Sequence, residues 1–89
     1  MTNKYSDPKE WGPHFWYVMK CIAFNYSENP NPSEILNTKS FYINLKNLLP
    51  CDECKNNYKN SLKKYNIDNY LHCRHKLMEW VKLIQEDNH

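Results

Sequence analysis

Apolar residues recur at three- and four-residue spacing in four successive stretches, and each stretch follows a proline or a capping residue. This period constrains the fold more than any other feature, because it is the signature of helices that bury one face. The first stretch opens at Asp7-Pro8. Asp7 is the cap, Pro8 suits a first helical turn, and Glu10 stands three residues after the cap. Trp11, Phe15, Val18 and Ile22 make one stripe, and Trp16, Met19, Ala23 and Tyr26 make a second beside it. Pro13 removes a backbone hydrogen bond, so the helix is expected to kink there or to begin at Gly12-Pro13. The second stretch opens at Asn31-Pro32-Ser33-Glu34. Ile35, Thr38, Tyr42, Leu45 and Leu49 then keep the period, with Phe41 and Leu48 flanking, until Pro50 stops it. In the third, Cys51, Cys54, Tyr58 and Leu62 share a face. In the fourth, Tyr70, Cys73, Leu77, Trp80 or Val81, and Ile84 recur after Asp68 as cap. The expected helices are 10–27, 32–49, 51–65 and 69–86.

No strand alternation and no internal repeat interrupts this pattern, and the chain has a single glycine. That argues against β-hairpins, Gly-rich phosphate loops and dinucleotide fingerprints. Short connections favour antiparallel neighbours, so the expectation is one all-α domain over residues 1–89, a compact four-helix bundle. A domain this small buries only about 60–65% of the surface its unfolded chain exposes, and often needs a staple, cofactor or partner. Seven Tyr, three Trp and three Phe are enough either to fill a core or to line a flat ligand. The net charge is only +2 with lysines spread along the chain, so no nucleic acid is expected as a partner. No apolar run reaches the roughly 18–20 residues that span a membrane, and the N-terminus lacks an apolar signal core. A soluble, non-secreted, cytoplasmic protein is expected. Four cysteines in such a setting point to redox or metal chemistry more than to a secreted disulfide scaffold.

Two of them form Pro-Cys-Asp-Glu-Cys at 50–54, at a helix start. Unpaired N–H groups and the helix dipole there favour a thiolate. A C-x-x-C on one turn also brings two sulfurs within disulfide range. The same spacing serves zinc: with Cys73 and His75 it gives C-x2-C-x18-C-x-H. Against that set, Cys73 falls in step with Leu77 and Trp80, and His75 lies about 200° around a helix from it unless the helix starts later. Cys51 and Cys54 as plain structural residues is the third reading. Cys21 and Cys73 sit in apolar stripes, where a free cysteine acts as a small hydrophobe, and a bond between them stays open. His14 and His72 are expected at the surface.

Three segments together resemble a known family. "WGPHFWYVMKCIAFNY" (11–26), "FYINLKNLLPCDEC" (41–54) and "CRHKLMEW" (73–80) are similar to the Erv/ALR family of FAD-linked sulfhydryl oxidases, in particular to the short versions of large DNA viruses. The resemblance implies a helical bundle that holds a flavin ring beside the C-x-x-C. It implies Cys51 and Cys54 as the catalytic pair, Cys54 next to the flavin and Cys51 more exposed. It places Trp11 and Gly12 at the entrance of the first helix and Trp16 and Tyr26 along the flavin pocket; Lys20 and the flat ring of Tyr58 are further residues expected around the FAD. It implies protein thiols or a thioredoxin-like relay protein as partners, a homodimer, hydrogen peroxide as product, and the host cytoplasm or virion as location. Lys20 stands where the family usually has His, and its H-N-x-V-N segment is replaced by Gln85, Glu86 and His89. A flavin-free thiol–disulfide relay and a zinc-stabilised interaction module are the alternatives.

Overall fold

Three of the four α-helices begin where the sequence supplies a side-chain acceptor for orphan backbone N–H groups. The computed structural model describes residues 3–88. A short 3-10 turn, Lys4–Ser6, leads into α1, Pro8–Phe24, where the Asp7 carboxylate accepts from the Lys9 N–H at 3.0 Å. α2, Pro32–Leu48, has a full capping box: Asn31 accepts from the Glu34 N–H at 2.8 Å and Glu34 accepts from the Asn31 N–H at 3.3 Å. α3, Asp52–Lys64, is capped by the Cys51 sulfur. α4 runs from Arg74 to Asp87 after a 3-10 turn at Ile67–Asn69. All four expected helices are present and no strand occurs among the described residues.

Two expectations change. α1 neither kinks into two pieces nor starts at Gly12: it begins at Pro8 and runs through Pro13. Pro13 and Lys9 both face water, so the carbonyl that loses its partner can be hydrated. α4 starts five residues later than expected, and Asp68 does not cap it. Asp68 sits in the 3-10 turn, which Asn66 caps, and its carboxylate pairs with Lys39 of α2 at 2.7 Å. Cys73, not a helical residue, holds the N-cap position.

The core is built from aromatic side chains whose polar ends reach backbone carbonyls of other elements. Tyr42 Oη of α2 donates to the Met19 carbonyl of α1 at 2.8 Å. Tyr58 Oη of α3 donates to the Tyr42 carbonyl at 2.6 Å, and Trp80 Nε1 of α4 donates to the Tyr65 carbonyl at 2.9 Å. Tyr42 and Trp80 pack edge to face, 5.2 Å between centroids. Met19, Leu77, Trp80 and Ile84 are fully buried around them. Fully buried phenols and indoles with satisfied donors add specific cross-links to the area they bury. α1 packs on α4, α2 on α3, and α3 on α4. The radius of gyration is 13.2 Å, near the ~12 Å of a compact chain of this length.

Candidate active site

The three-residue link Leu49–Cys51 turns α2 into α3 and sets Cys51 at the N-cap with extended backbone. Its Sγ accepts from the Cys54 N–H at 3.2 Å, so the two cysteines face each other across the first turn of α3. Both are half-buried thiols. The helix start was expected to favour a thiolate. At Cys54 other forces win: burial first, then the hydrogen bond and charge of Cys51 and the charge of Glu53, push the thiol up to about 11. Its own backbone N–H works the other way and is outweighed. In the dithiol state Cys54 therefore keeps its proton at neutral pH.

Cys54 opens onto a cleft of about 680 Å³ between α1, the first half of α3 and the end of α4. From α1 come Gly12, Phe15, Trp16 and Lys20, with Trp11 and Tyr17 at the sides; from α3 come Cys54, Asn57 and Tyr58; from the end of α4 come Gln85 and Asn88. Five of the six residues expected around a cofactor thus line one cavity: Gly12, Trp16, Lys20, Cys54 and Tyr58. Tyr26 is elsewhere. It is buried, and its hydroxyl donates to the Leu71 carbonyl at 2.7 Å, tying the end of α1 to the segment before α4. A side chain added at Gly12 would meet no protein atom within 4 Å, so the backbone of α1 is open at this point of the cleft. The cleft holds two lysines, Lys9 and Lys20, and no carboxylate. A second, more apolar cleft of about 530 Å³ adjoins it, sharing Lys20 and Gln85 and adding Ala23, Phe24, Met78 and Val81.

Sequence reasoning missed Phe15, Asn57 and Asn88 as wall residues. Asn57 lies one turn after Cys54, so the period of α3 marks it. Asn88 carries no such mark, because a network across the bundle places it. Ser61 Oγ of α3 is buried and donates to Asp87 Oδ2 at 2.5 Å, Lys64 pairs with Asp87 at 2.8 Å, and Asn88 Nδ2 donates to Ser61 Oγ at 3.0 Å. Lys64, then Ser61, holds the Asp87 carboxyl below its ordinary range.

The other cysteines are not brought in. Cys21 is half-buried on α1. Cys73 and His75 are not two positions within one helix, since α4 starts at Arg74, which removes the angular objection to a shared metal. No three His, Cys, Asp or Glu side chains among the described residues nevertheless gather as a metal set. His14 and His72 are exposed.

A helical bundle in which a C-x-x-C at a helix start opens onto an aromatic cleft has two thiols beside room for a planar ligand. The model of the Erv1 / Alr family matches residues 13–88, and the chain belongs to that family. It is 32% identical over 75 residues to a protein of Acanthamoeba polyphaga mimivirus named as a probable FAD-linked sulfhydryl oxidase, covering 83% of this chain and 52% of that one. It is 28% identical over 75 residues to the mitochondrial FAD-linked sulfhydryl oxidase of Schizosaccharomyces pombe, covering 84% of this chain and 41% of that one. The chain spans about half the length of these relatives. No solved structure matches it significantly.

Proposed function

We propose that this chain is an FAD-dependent sulfhydryl oxidase that makes disulfides in partner proteins through Cys51 and Cys54. The observation that carries the reading is the cleft: Cys54 shares one cavity with Gly12, Trp16, Lys20 and Tyr58. Its residues suit a flavin. Trp11, Phe15, Trp16 and Tyr58 offer flat apolar walls. Asn57, Gln85 and Asn88 offer both donors and acceptors to a ring edge, and Lys9 and Lys20 offer positive charge to phosphates. A volume of about 680 Å³ lies within the usual range of ligand sites. When bound, FAD supplies the two-electron reoxidation of the cysteine pair and the transfer to dioxygen that yields hydrogen peroxide.

The protein's own part is thiol–disulfide exchange. A substrate thiolate attacks the Cys51 sulfur of the oxidised pair. The Cys51–Cys54 bond breaks, and Cys54 leaves with the electron pair and takes up a proton. Its raised pKa makes that proton uptake favourable and makes Cys54 a slower leaving group than an unburied helix-start cysteine would be. A second substrate thiol then attacks the mixed disulfide, releasing Cys51 as thiol and the substrate as disulfide. Protein thiols, or a thioredoxin-like relay protein, are the substrates in this reading. A second copy of the chain fits the exposed apolar side chains Tyr17, Val18 and Phe24 of α1, and host cytoplasm or virion is the location in this reading. No helix among the described residues is long and apolar enough to cross a membrane.

The test is to titrate FAD into the purified protein and then add a dithiol. Expected are quenching of flavin fluorescence, saturable binding, and oxygen uptake above that of free FAD. Oxidation of a dithiol pair on a partner without any flavin binding would favour the flavin-free relay instead.

A further inference from the structure

A groove about 420 Å³ in volume runs between α2 and α3, on neither cleft described above. Its apolar lining is Ile43 and Leu62, both half-buried. The rest is Lys46, Asn47, Lys59 and Lys63, with no carboxylate. None of these three lysines makes an ion pair among the described residues, whereas the neighbouring Lys39, Lys55 and Lys64 each have one. Lys55, Lys59 and Lys63 stand four residues apart, so they form one row along α3. Like charges at that spacing repel, and no ion pair among the described residues relieves the repulsion between Lys59 and Lys63. An apolar strip flanked by uncompensated positive charge is complementary to a segment that carries both apolar and acidic side chains. A nucleic acid would satisfy the charge and leave Ile43 and Leu62 without a partner.

The groove also has a defined relation to the reactive pair. Lys59 follows Cys51 by eight residues on the same helix, about 12 Å along its axis. An extended chain covers that distance in about four residues. A protein anchored in the groove can therefore lay a cysteine a few residues away against Cys51. Leu48, 71% exposed in the last turn of α2 and three residues before Cys51, offers an apolar step along the way.

We infer that the α2–α3 groove is the docking site for an acidic, amphipathic segment of the protein whose thiols are oxidised, with Lys46, Lys59 and Lys63 meeting its carboxylates and Ile43 and Leu62 its apolar side chains. The identity of the partner as a thiol substrate rests on the oxidase reading; the docking itself does not. The experiment separates the two by using neither flavin nor cysteine. A fluorescein-labelled, cysteine-free peptide with Leu and Glu repeated at helical spacing is titrated with the full chain at low salt, and anisotropy is followed. Binding is expected, with backbone amide shifts at Lys59, Leu62 and Lys63 by NMR, and weakening as salt is raised. The double variant Lys59→Glu/Lys63→Glu changes two exposed side chains and should keep the fold by circular dichroism while weakening binding at least about tenfold. Lys76→Glu, on α4 and outside the groove, should leave it within about twofold. The inference is overturned by absence of binding up to about 1 mM, by equal binding to the double variant, or by a single-stranded oligonucleotide binding as tightly as the peptide.

Discussion

The aromatic residues of this chain fall into two populations. Around α4, Tyr42, Tyr58 and Trp80 are buried to within 1% of complete, and each donates to a carbonyl of another element. Along α1, Trp11, Phe15 and Trp16 are only half-buried, and Tyr17 is 69% exposed. Phe15 meets Trp11 and Trp16 edge to face, at 5.6 and 4.9 Å, so the rings hold one another while leaving faces toward the cleft. The lesson is that aromatic content serves two ends here. Rings whose polar tips are satisfied internally lock the helices together. Rings with uncovered faces leave flat surface open to a ligand. Tyr58 belongs to both groups: its hydroxyl is locked to Tyr42, and its ring forms part of the cleft wall beside Cys54.

Paired substitutions break that contrast most directly. Trp80→Ala should cost about 3–5 kcal/mol, because it removes a fully buried ring and its bond to Tyr65. That is a large share of the total stability of a small domain. Trp16→Ala should cost only about 1–2 kcal/mol, since part of the ring is already in water, yet it should weaken flavin binding. Thermal unfolding read beside a fluorescence titration checks both. If Trp16→Ala unfolds the protein as Trp80→Ala does, the cleft wall is ordinary core.

A smaller effect on the fold, with a large one on chemistry, is expected at the junction of the two regions. Cys54→Ser keeps size and helix position, so the unfolding temperature should shift little, while dithiol-driven oxygen uptake falls at least about a hundredfold, to the level of free flavin. Retained turnover would mean that another sulfur serves the cleft.

The mildest consequence concerns pH. The Cys54 thiol is raised from 9.0 to about 11, so the reduced fold still holds a proton there that the unfolded chain has lost. That contribution to stability is fully present below pH 9.0 and is lost as pH climbs toward about 11. Iodoacetamide alkylation of Cys54, followed by mass spectrometry, should accelerate over the same window, later than in a denatured control. An alkylation midpoint at the ordinary thiol value would show that burial does not control this sulfur.

Signals that act within a few residues of themselves are legible in this sequence. The Asn31–Glu34 capping box, Asp7 before Pro8, and the Pro50 stop with Cys51 at the next start all depend on neighbours no more than four residues away. So do the Cys51–Cys54 spacing and the apolar period that puts Met19, Ala23, Leu77 and Ile84 inward. Gly12, Trp16, Lys20, Tyr26, Cys54 and Tyr58 are expected from the sequence around one cofactor, and the fold gathers all of them but Tyr26 at one cavity. What the sequence left open depends on contacts between distant segments. α4 starts later than its apolar period predicts because the segment before it is held by tertiary bonds, Tyr26 to the Leu71 carbonyl and Arg74 Nε to the Tyr26 carbonyl, 45 and 48 residues apart in sequence. The same bond draws Tyr26 into the core. The position of Asn88 follows from Ser61 and Asp87, 26 residues apart. Whether Cys54 keeps its proton was also undecidable locally. A helix start lowers a thiol's pKa through groups of its own turn, whereas desolvation depends on how closely other elements cover the sulfur, and that coverage exists only in the folded bundle.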